Sequence, residues 1–162
     1  MALEIRHLNE SDSGALAELM LSSYDNGKGM WFPEKPSRKE AESVVAKKLD
    51  MLKRNILIDN VASLNGEVIG DCEIVVDGAV GLMGILVSNK HRGTGVGRAL
   101  LIASLKAAVA RGMASIFAEV ETGNYSAISF FTRNGFSIAG NATVEKNGKS
   151  ARITRMEFVL KK

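Results

Sequence analysis

Apolar and polar residues alternate over the first residues of the chain, and apolar residues then recur at helical spacing. Alternation over residues 2–8 predicts a half-buried strand. Asn9 or Ser11 can cap the helix that follows. After a loop at 24–36, rich in glycine and proline, a capping box of the form S-x-x-E at 37–40 begins a second helix. The apolar faces of the two helices comprise Leu16, Leu19 and Met20 in the first, and Ala41, Val44, Val45, Leu49 and Leu52 in the second.

Three apolar runs separated by tight turns predict an antiparallel meander in the middle of the chain. The runs occupy residues 56–64, 67–76 and 79–87. Asn65-Gly66 joins the first two and Asp77-Gly78 leads into the third, and both dipeptides are strong hairpin signals.

The second half continues with a helix over 98–111, a strand over 115–121, a helix over 124–135 and two strands around Asn147-Gly148. The order β-α-α-β-β-β-α-β-α-β-β therefore contains a strand-helix-strand unit, which implies one parallel pairing with a right-handed crossover. We expect an α/β (α+β) fold, with a mixed, mostly antiparallel, twisted sheet of six or seven strands and about four flanking helices.

The composition limits the classes of protein to which the chain can belong. A chain of 162 residues with 46% hydrophobic and 24% charged residues predicts one globular domain, 1–162. The net charge of +3 is too small to indicate nucleic acid, and the apolar run at 79–87 is too short to span a membrane. The single cysteine, Cys72, and the charged first residues favour a cytoplasmic location. His7 and His91 show no metal-ligand spacing, so no metal is expected.

Three glycines stand where the helix over 98–111 is about to begin. Gly93, Gly95 and Gly97 lack Cβ atoms, so an anion can approach the unpaired amides at the start of the helix. The spacing lacks the Lys-Ser or Lys-Thr of a P-loop, and Arg98 stands where a dinucleotide fingerprint needs its third glycine. Either a diphosphate-binding turn or a turn that only eases packing fits this pattern.

Two motifs at matching spacing resemble the GNAT superfamily of N-acetyltransferases. Residues 92–97, RGTGVG, match its pyrophosphate motif R/Q-x-x-G-x-G/A, placed after the fourth strand as in that family. Downstream, NYSAISFFTRNGF is similar to the family pattern N-x-x-A-x-x-x-[YF]-x-x-x-G-F, with Asn124, Ala127, Phe131, Gly135 and Phe136 at the motif positions. The resemblance extends over the chain in element order and is most specific over 80–140.

The resemblance implies that acetyl-CoA is bound as co-substrate where the fourth and fifth strands separate. Pantetheine would pair with the backbone of Ile85, Leu86 and Val87. Asn124 would contact the pantetheine arm, and Phe131 would pack near the thioester. The pyrophosphate would lie on the turn and its flanking cations, formed by Arg92, Gly93, Thr94, Gly95, Val96, Gly97 and Arg98.

The proton of the acceptor amine needs a base, and the fourth strand has no titratable side chain. On the fifth strand, Glu119 lies in a segment similar to the E-V-x-x-x-N of family members that acetylate protein N-termini, so the resemblance implies Glu119 as general base. An exposed strand carboxylate without catalytic role is the alternative. Phe131 replaces a tyrosine that serves as the acid in many members, and phenylalanine cannot donate a proton. Either another group or water then serves as the acid, or the thiolate leaves unprotonated.

These observations predict an N-acetyltransferase that acts by direct attack of a primary amine, on a small molecule or a protein N-terminus, upon acetyl-CoA. A non-catalytic module that binds or senses acyl-CoA is the alternative. Glu73, Glu119 and Glu121 would favour a cationic amine if they face the cleft. Trp31 and Phe32 either wall the acceptor site or, as is more common for such residues, fill the edge of the core. Family members often dimerise, so a homodimer is expected.

Overall fold

The computed structural model describes residues 2–24, 34–146 and 148–161. The first strand and the first two helices within those ranges are β1 (Leu3–His7), α1 (Ser13–Ser22) and α2 (Arg38–Lys53). The remaining elements are β2 (Leu57–Leu64), β3 (Glu67–Asp77), β4 (Val80–Val87), α3 (Val96–Ala110), β5 (Ser115–Glu121), α4 (Tyr125–Arg133), β6 (Ser137–Lys146) and β7 (Lys149–Val159). Short 3-10 turns occupy Glu10–Asp12 and Asn89–His91. None of the helices in these ranges is both long and apolar enough to cross a membrane.

The seven strands form one sheet in the order β1-β2-β3-β4-β5-β7-β6. Every neighbouring pair is antiparallel except β4 and β5, which are parallel and connected through α3. The predicted meander is therefore β2-β3-β4, and the predicted mixed, mostly antiparallel sheet is confirmed.

Helices cover both faces of the sheet, because alternate strand residues point to opposite sides. One face packs against α1 and α2, where Val61, Val68 and Leu86 join a cluster that includes Leu16 and Val45. We call this side the α1–α2 face. The opposite side, the α3–α4 face, contacts the two later helices through a second cluster, which includes Ile116, Ala118, Val120, Leu100 and Phe131.

Element boundaries differ from the predicted ones by one or two residues. The helix predicted from 98 begins at Val96, because Gly95 adopts a left-handed φ of 91° and lets the chain turn into the helix. Asn124 caps α4 as predicted, since its Oδ1 accepts a hydrogen bond from the Ala127 amide at 3.1 Å. The reciprocal capping box of α2 is also present. Asn147, part of the last predicted turn, lies outside the described residues, as do Trp31 and Phe32.

Candidate active site

The parallel strands β4 and β5 pair over only half of the length of β4. Their register runs from Val80 opposite Ser115 to Met83 opposite Ala118. Beyond that point β4 stays paired with β3 as far as Val87. β5 likewise stays paired with β7 as far as Glu121. The sheet therefore opens between β4 and β5. An unpaired strand edge is a template for an extended ligand, and the segment predicted to bind pantetheine, Ile85, Leu86 and Val87, forms this edge.

The N-terminus of α3 lies at the same end of the sheet. The first hydrogen bond of the helical ladder runs from the Ala99 amide to the Gly95 carbonyl at 3.0 Å. The four preceding amides, from 95 to 98, are the ones that a helix start leaves without intrahelical acceptors. Gly93 and Gly95 have positive φ, and a Cβ on either would meet no atom within 4 Å among the described residues. This space beside outward amides suits a phosphate group.

Gly97 has a different role from the two glycines before it. A Cβ there would lie 3.3 Å from the ring of Phe130 on α4 and 3.6 Å from the side chain of Val87. The absence of a side chain at Gly97 therefore allows α3 to pack closely against α4 and the end of β4.

The remaining predicted ligand-binding residues border the opening in different ways. Arg92 is exposed, and its Nε donates to the Val87 carbonyl at 3.4 Å. The Thr94 hydroxyl donates to the His91 carbonyl, and Arg98 is exposed on the first turn of α3. Asn124 is exposed at the start of α4.

Phe131 is buried, at 4% exposure, in contact with other aromatic rings. The Phe130 and Phe136 centroids lie 5.4 and 4.9 Å from that of Phe131, in edge-on geometry. The ring forms part of the core beneath the opening on the α3–α4 side.

Glu119 lies on β5, one residue beyond the last pair with β4, and its side chain is 21% exposed. Arg155 stands opposite on β7, and its Nη2 donates to Glu119 Oε1 at 2.7 Å. The same guanidinium lies 5.4 Å from the centroid of the Phe117 ring. The predicted base is thus a carboxylate at one edge of the opening, held by a cation that the sequence patterns did not indicate.

A buried ionic network lies on the α1–α2 face of β2 and β3. The Nζ of Lys48, from α2, lies 2.6 Å from Asp71 Oδ2, 3.1 Å from Asp59 Oδ2 and 3.5 Å from Glu73 Oε2. Burial alone lowers the pKa of Lys48, but attraction to Asp71, Glu73 and Asp59 raises it above its ordinary value. Three carboxyl groups surround one ammonium in this network.

The carboxyl groups of the network do not share the ammonium equally. Burial and the neighbouring Asp71 raise the pKa of Asp59 to about 10, and the attraction of Lys48 does not compensate. One oxygen of Asp59 and one of Asp71 are buried without a hydrogen-bond partner. A proton on Asp59 that is shared with Asp71 satisfies both oxygens, since an acid can donate where a carboxylate cannot. Burial also raises the pKa of Glu73.

Nothing in this network has metal-binding geometry: across the described ranges, no group of three or more His, Cys, Asp or Glu side chains could hold a metal ion. Cys72, the neighbour of Asp71 on β3, is fully buried, and burial raises the pKa of its thiol. It points to the α3–α4 side, within the same cluster as Leu100.

The family model for the acetyltransferase (GNAT) family matches residues 20–136. The chain belongs to the GNAT family. Among curated proteins, none matches the sequence.

Solved structures of other acetyltransferases share the fold of this GNAT chain. The ribosomal-protein-alanine N-acetyltransferase of Brucella melitensis superimposes with a TM-score of 0.80 at 23% identity, over 97% of this chain and 99% of the other. YncA of Salmonella typhimurium, solved with its cofactor acetyl-CoA, gives 0.82 at 21% identity, over 100% and 96%. The ribosomal-protein-S18-alanine N-acetyltransferase of Escherichia coli gives 0.75 at 19% identity, over 99% and 96%. At these identities the likeness establishes the fold.

Proposed function

We propose that this GNAT protein transfers the acetyl group of acetyl-CoA to a primary amine, on a small molecule or a protein N-terminus, with Glu119 as general base. One observation supports the proposal above the others. The unpaired edge of β4, the outward amides of α3 and the Glu119 carboxylate meet at one end of the sheet. The acetyl-CoA in the similar yncA structure supports the same co-substrate.

The residues present fit an extended ligand that is joined to a pyrophosphate. In this proposal Ile85, Leu86 and Val87 pair with the pantetheine amides, as a strand added to an edge does. The amides from Gly93 to Arg98 bind the pyrophosphate, and Arg92 and Arg98 supply positive charge nearby. Asn124 contacts the pantetheine arm, and Phe131 packs near the thioester.

Acetyl transfer starts from the neutral form of the attacking amine and requires one further proton to be removed from its nitrogen. The nitrogen lone pair forms a C–N bond with the carbonyl carbon, the C–S bond breaks, and its electron pair stays on sulfur. Glu119 accepts the nitrogen proton, directly or through a water molecule. Phe131 cannot donate a proton, so the thiolate leaves unprotonated and later takes a proton from water. An ordinary thiol has a pKa near 8.5, which makes thiolate an acceptable leaving group.

Two measurements test the proposal. Saturating acetyl-CoA should raise the melting temperature by about 5 °C or more, because a ligand at 100 times its Kd stabilises the native state by about 2.7 kcal/mol. Release of the CoA thiol across a panel of amines should then show turnover. Stabilisation by NAD or ATP but not by acetyl-CoA contradicts the proposal. Binding of acetyl-CoA without turnover on small amines and N-terminal peptides favours the non-catalytic acyl-CoA module instead.

Two further expectations accompany the proposal. The cytoplasmic location stays a prediction that cell fractionation would check. The homodimer stays a prediction that the molecular mass in solution would check.

A further inference from the structure

A second carboxylate faces the opening from the side opposite Glu119. Glu73 on β3 is paired with Gly84 on β4. Gly84 directly follows Met83, the last β4 residue paired with β5, as Glu119 follows its partner Ala118. Because paired strand residues share a face, Glu73, Gly84 and Glu119 form one row across the α1–α2 face.

The glycine in the middle of this row leaves the space between the carboxylates open. A Cβ at Gly84 would lie 3.3 Å from Glu73 Oε1, so the carboxylate extends over the β4 backbone. The Glu73 side chain is 24% exposed, similar to the 21% of Glu119. One strand spacing separates Glu73 from Gly84 and the opening separates Gly84 from Glu119, so the backbones of the two glutamates lie at least about 10 Å apart. One small molecule can therefore contact both carboxylates.

The two carboxylates differ in how well their charge is compensated. Among the described residues, Glu119 is the carboxylate that pairs with Arg155, at 2.7 Å. Glu73 shares Lys48 with two closer carboxyl groups and lies farthest from its ammonium, at 3.5 Å. Glu73 is therefore the carboxyl group least engaged by Lys48, and a cation from outside can give it a second, closer partner.

On the basis of the function proposed above, we propose that Glu73 determines which amine is accepted. Its carboxylate binds a positively charged group at one end of the acceptor, while the nitrogen at the other end reacts beside Glu119. The acceptor class is then a small amine with two cationic groups, and an amine with a carboxylate at its far end is disfavoured. Burial raises the pKa of Glu73, and a bound cation would oppose that rise because it favours the charged carboxylate.

Three amines of equal length test this selection, because only the charge of the far group differs: 1,4-diaminobutane, 4-aminobutan-1-ol and 4-aminobutanoate. Wild-type kcat/KM, followed by CoA thiol release, should be highest for the diamine and lowest for 4-aminobutanoate. Glu73→Gln should lower kcat/KM for the diamine by about 10- to 100-fold, mainly through KM, as expected for loss of a hydrogen bond between charged groups. The change for 4-aminobutan-1-ol should be much smaller.

Two other variants separate recognition from folding. Glu67→Gln makes the same change at an exposed position at the far end of β3 and should leave the order of the amines as in the wild type. Gly84→Ala keeps every charge but displaces the Glu73 carboxylate, so it should weaken the preference for the diamine. Melting temperature and acetyl-CoA affinity, measured for each variant, show whether the fold and the co-substrate site persist.

Three outcomes overturn the inference. The first is equal wild-type kcat/KM for the diamine and the alcohol. The second is an equal loss of kcat for both amines in Glu73→Gln. The third is a wild type that binds acetyl-CoA but acetylates none of the three amines, although it acetylates another acceptor. The proposed function fails separately, if acetyl-CoA does not bind or no amine of any class is acetylated.

Discussion

Arg155 on β7 and Glu119 on β5 are directly paired residues whose side chains form a salt bridge of 2.7 Å at the edge of the opening. Arg155 is 53% exposed, so the pair contributes little to the stability of the fold. Its guanidinium also lies over the Phe117 ring, on the same side of β5 as Glu119. The Phe117 ring therefore gives the guanidinium a second contact besides Glu119, and the guanidinium positions the carboxylate.

We expect Glu119→Gln to lower kcat about 10²- to 10⁴-fold with little change in acetyl-CoA affinity, because glutamine keeps the shape of the side chain but cannot accept a proton. Steady-state thiol release and calorimetric titration with acetyl-CoA measure the two quantities. Glu67→Gln is the control. A variant with full turnover refutes the catalytic role, and an effect confined to the acceptor KM makes Glu119 a binding carboxylate.

Arg155→Met should lower kcat about 10- to 100-fold, because a base displaced by an ångström is less well aligned with the amine. Arg155→Lys retains a positive charge and should recover part of the loss. The acetyl-CoA affinity and the melting temperature should stay close to those of the wild type in both variants. If methionine and lysine lower the rate equally, or if only the stability falls, then Arg155 does not position Glu119.

Much of the fold can be predicted because each element carries its own local signal. Glycine turns at Asn65-Gly66 and Asp77-Gly78 delimit the meander, and the capping box at Ser37 begins α2. The start of α3 was predicted two residues late, at 98 instead of Val96, since two glycines close to it lower the apparent helix propensity. These patterns do not predict the point at which β4 and β5 stop pairing, because both strands remain regular beyond it.

The candidate site is less predictable, because its side chains meet only through the register of the sheet. Arg155 is 36 residues from Glu119, and nothing in the spacing pairs them. Lys48 does carry a signal in the sequence, because with Ala41 and Val45 it forms the buried stripe of α2. A lysine on such a stripe requires buried carboxylates opposite, and Asp59 interrupts an apolar strand.

Gly95→Val should weaken acetyl-CoA binding by well over tenfold, because the branched side chain enters the space proposed for the pyrophosphate. Gly95 has a φ of +91°, so the variant also loses about 1–2 kcal/mol of stability from backbone strain alone. Gly66→Val is the matched control: its φ of +86° and open surroundings give similar strain in the β2–β3 hairpin. Both variants should melt lower, and only Gly95→Val should lose acetyl-CoA in a titration. Equal binding in the two variants would indicate that the turn is structural.

The shared proton of Asp59 and Asp71 predicts a pH-dependent effect of Asp59→Asn. The pKa of Asp59 is raised in the folded chain from 3.8 to about 10, so between these values the folded state holds a proton that the unfolded state releases. The contribution of Asp59 to stability is thus full below about pH 4 and is lost as the pH rises towards 10. Asparagine donates to Asp71 as the protonated acid does, but without releasing a proton on unfolding. The free energy of unfolding of the variant, minus that of the wild type, should therefore increase by at least about 1 kcal/mol from about pH 5 to about pH 9.

Urea unfolding of both proteins at the two pH values measures this difference. Asp50→Asn, at a site where the side chain is 64% exposed, is the control and should differ from the wild type by the same amount at both. Lys48 does not produce the trend, because its pKa is raised above 10.5 and it stays charged in both states over this range. If Asp59→Asn instead loses stability relative to the wild type as the pH rises, then Asp59 is ionised in the fold and Lys48 balances it.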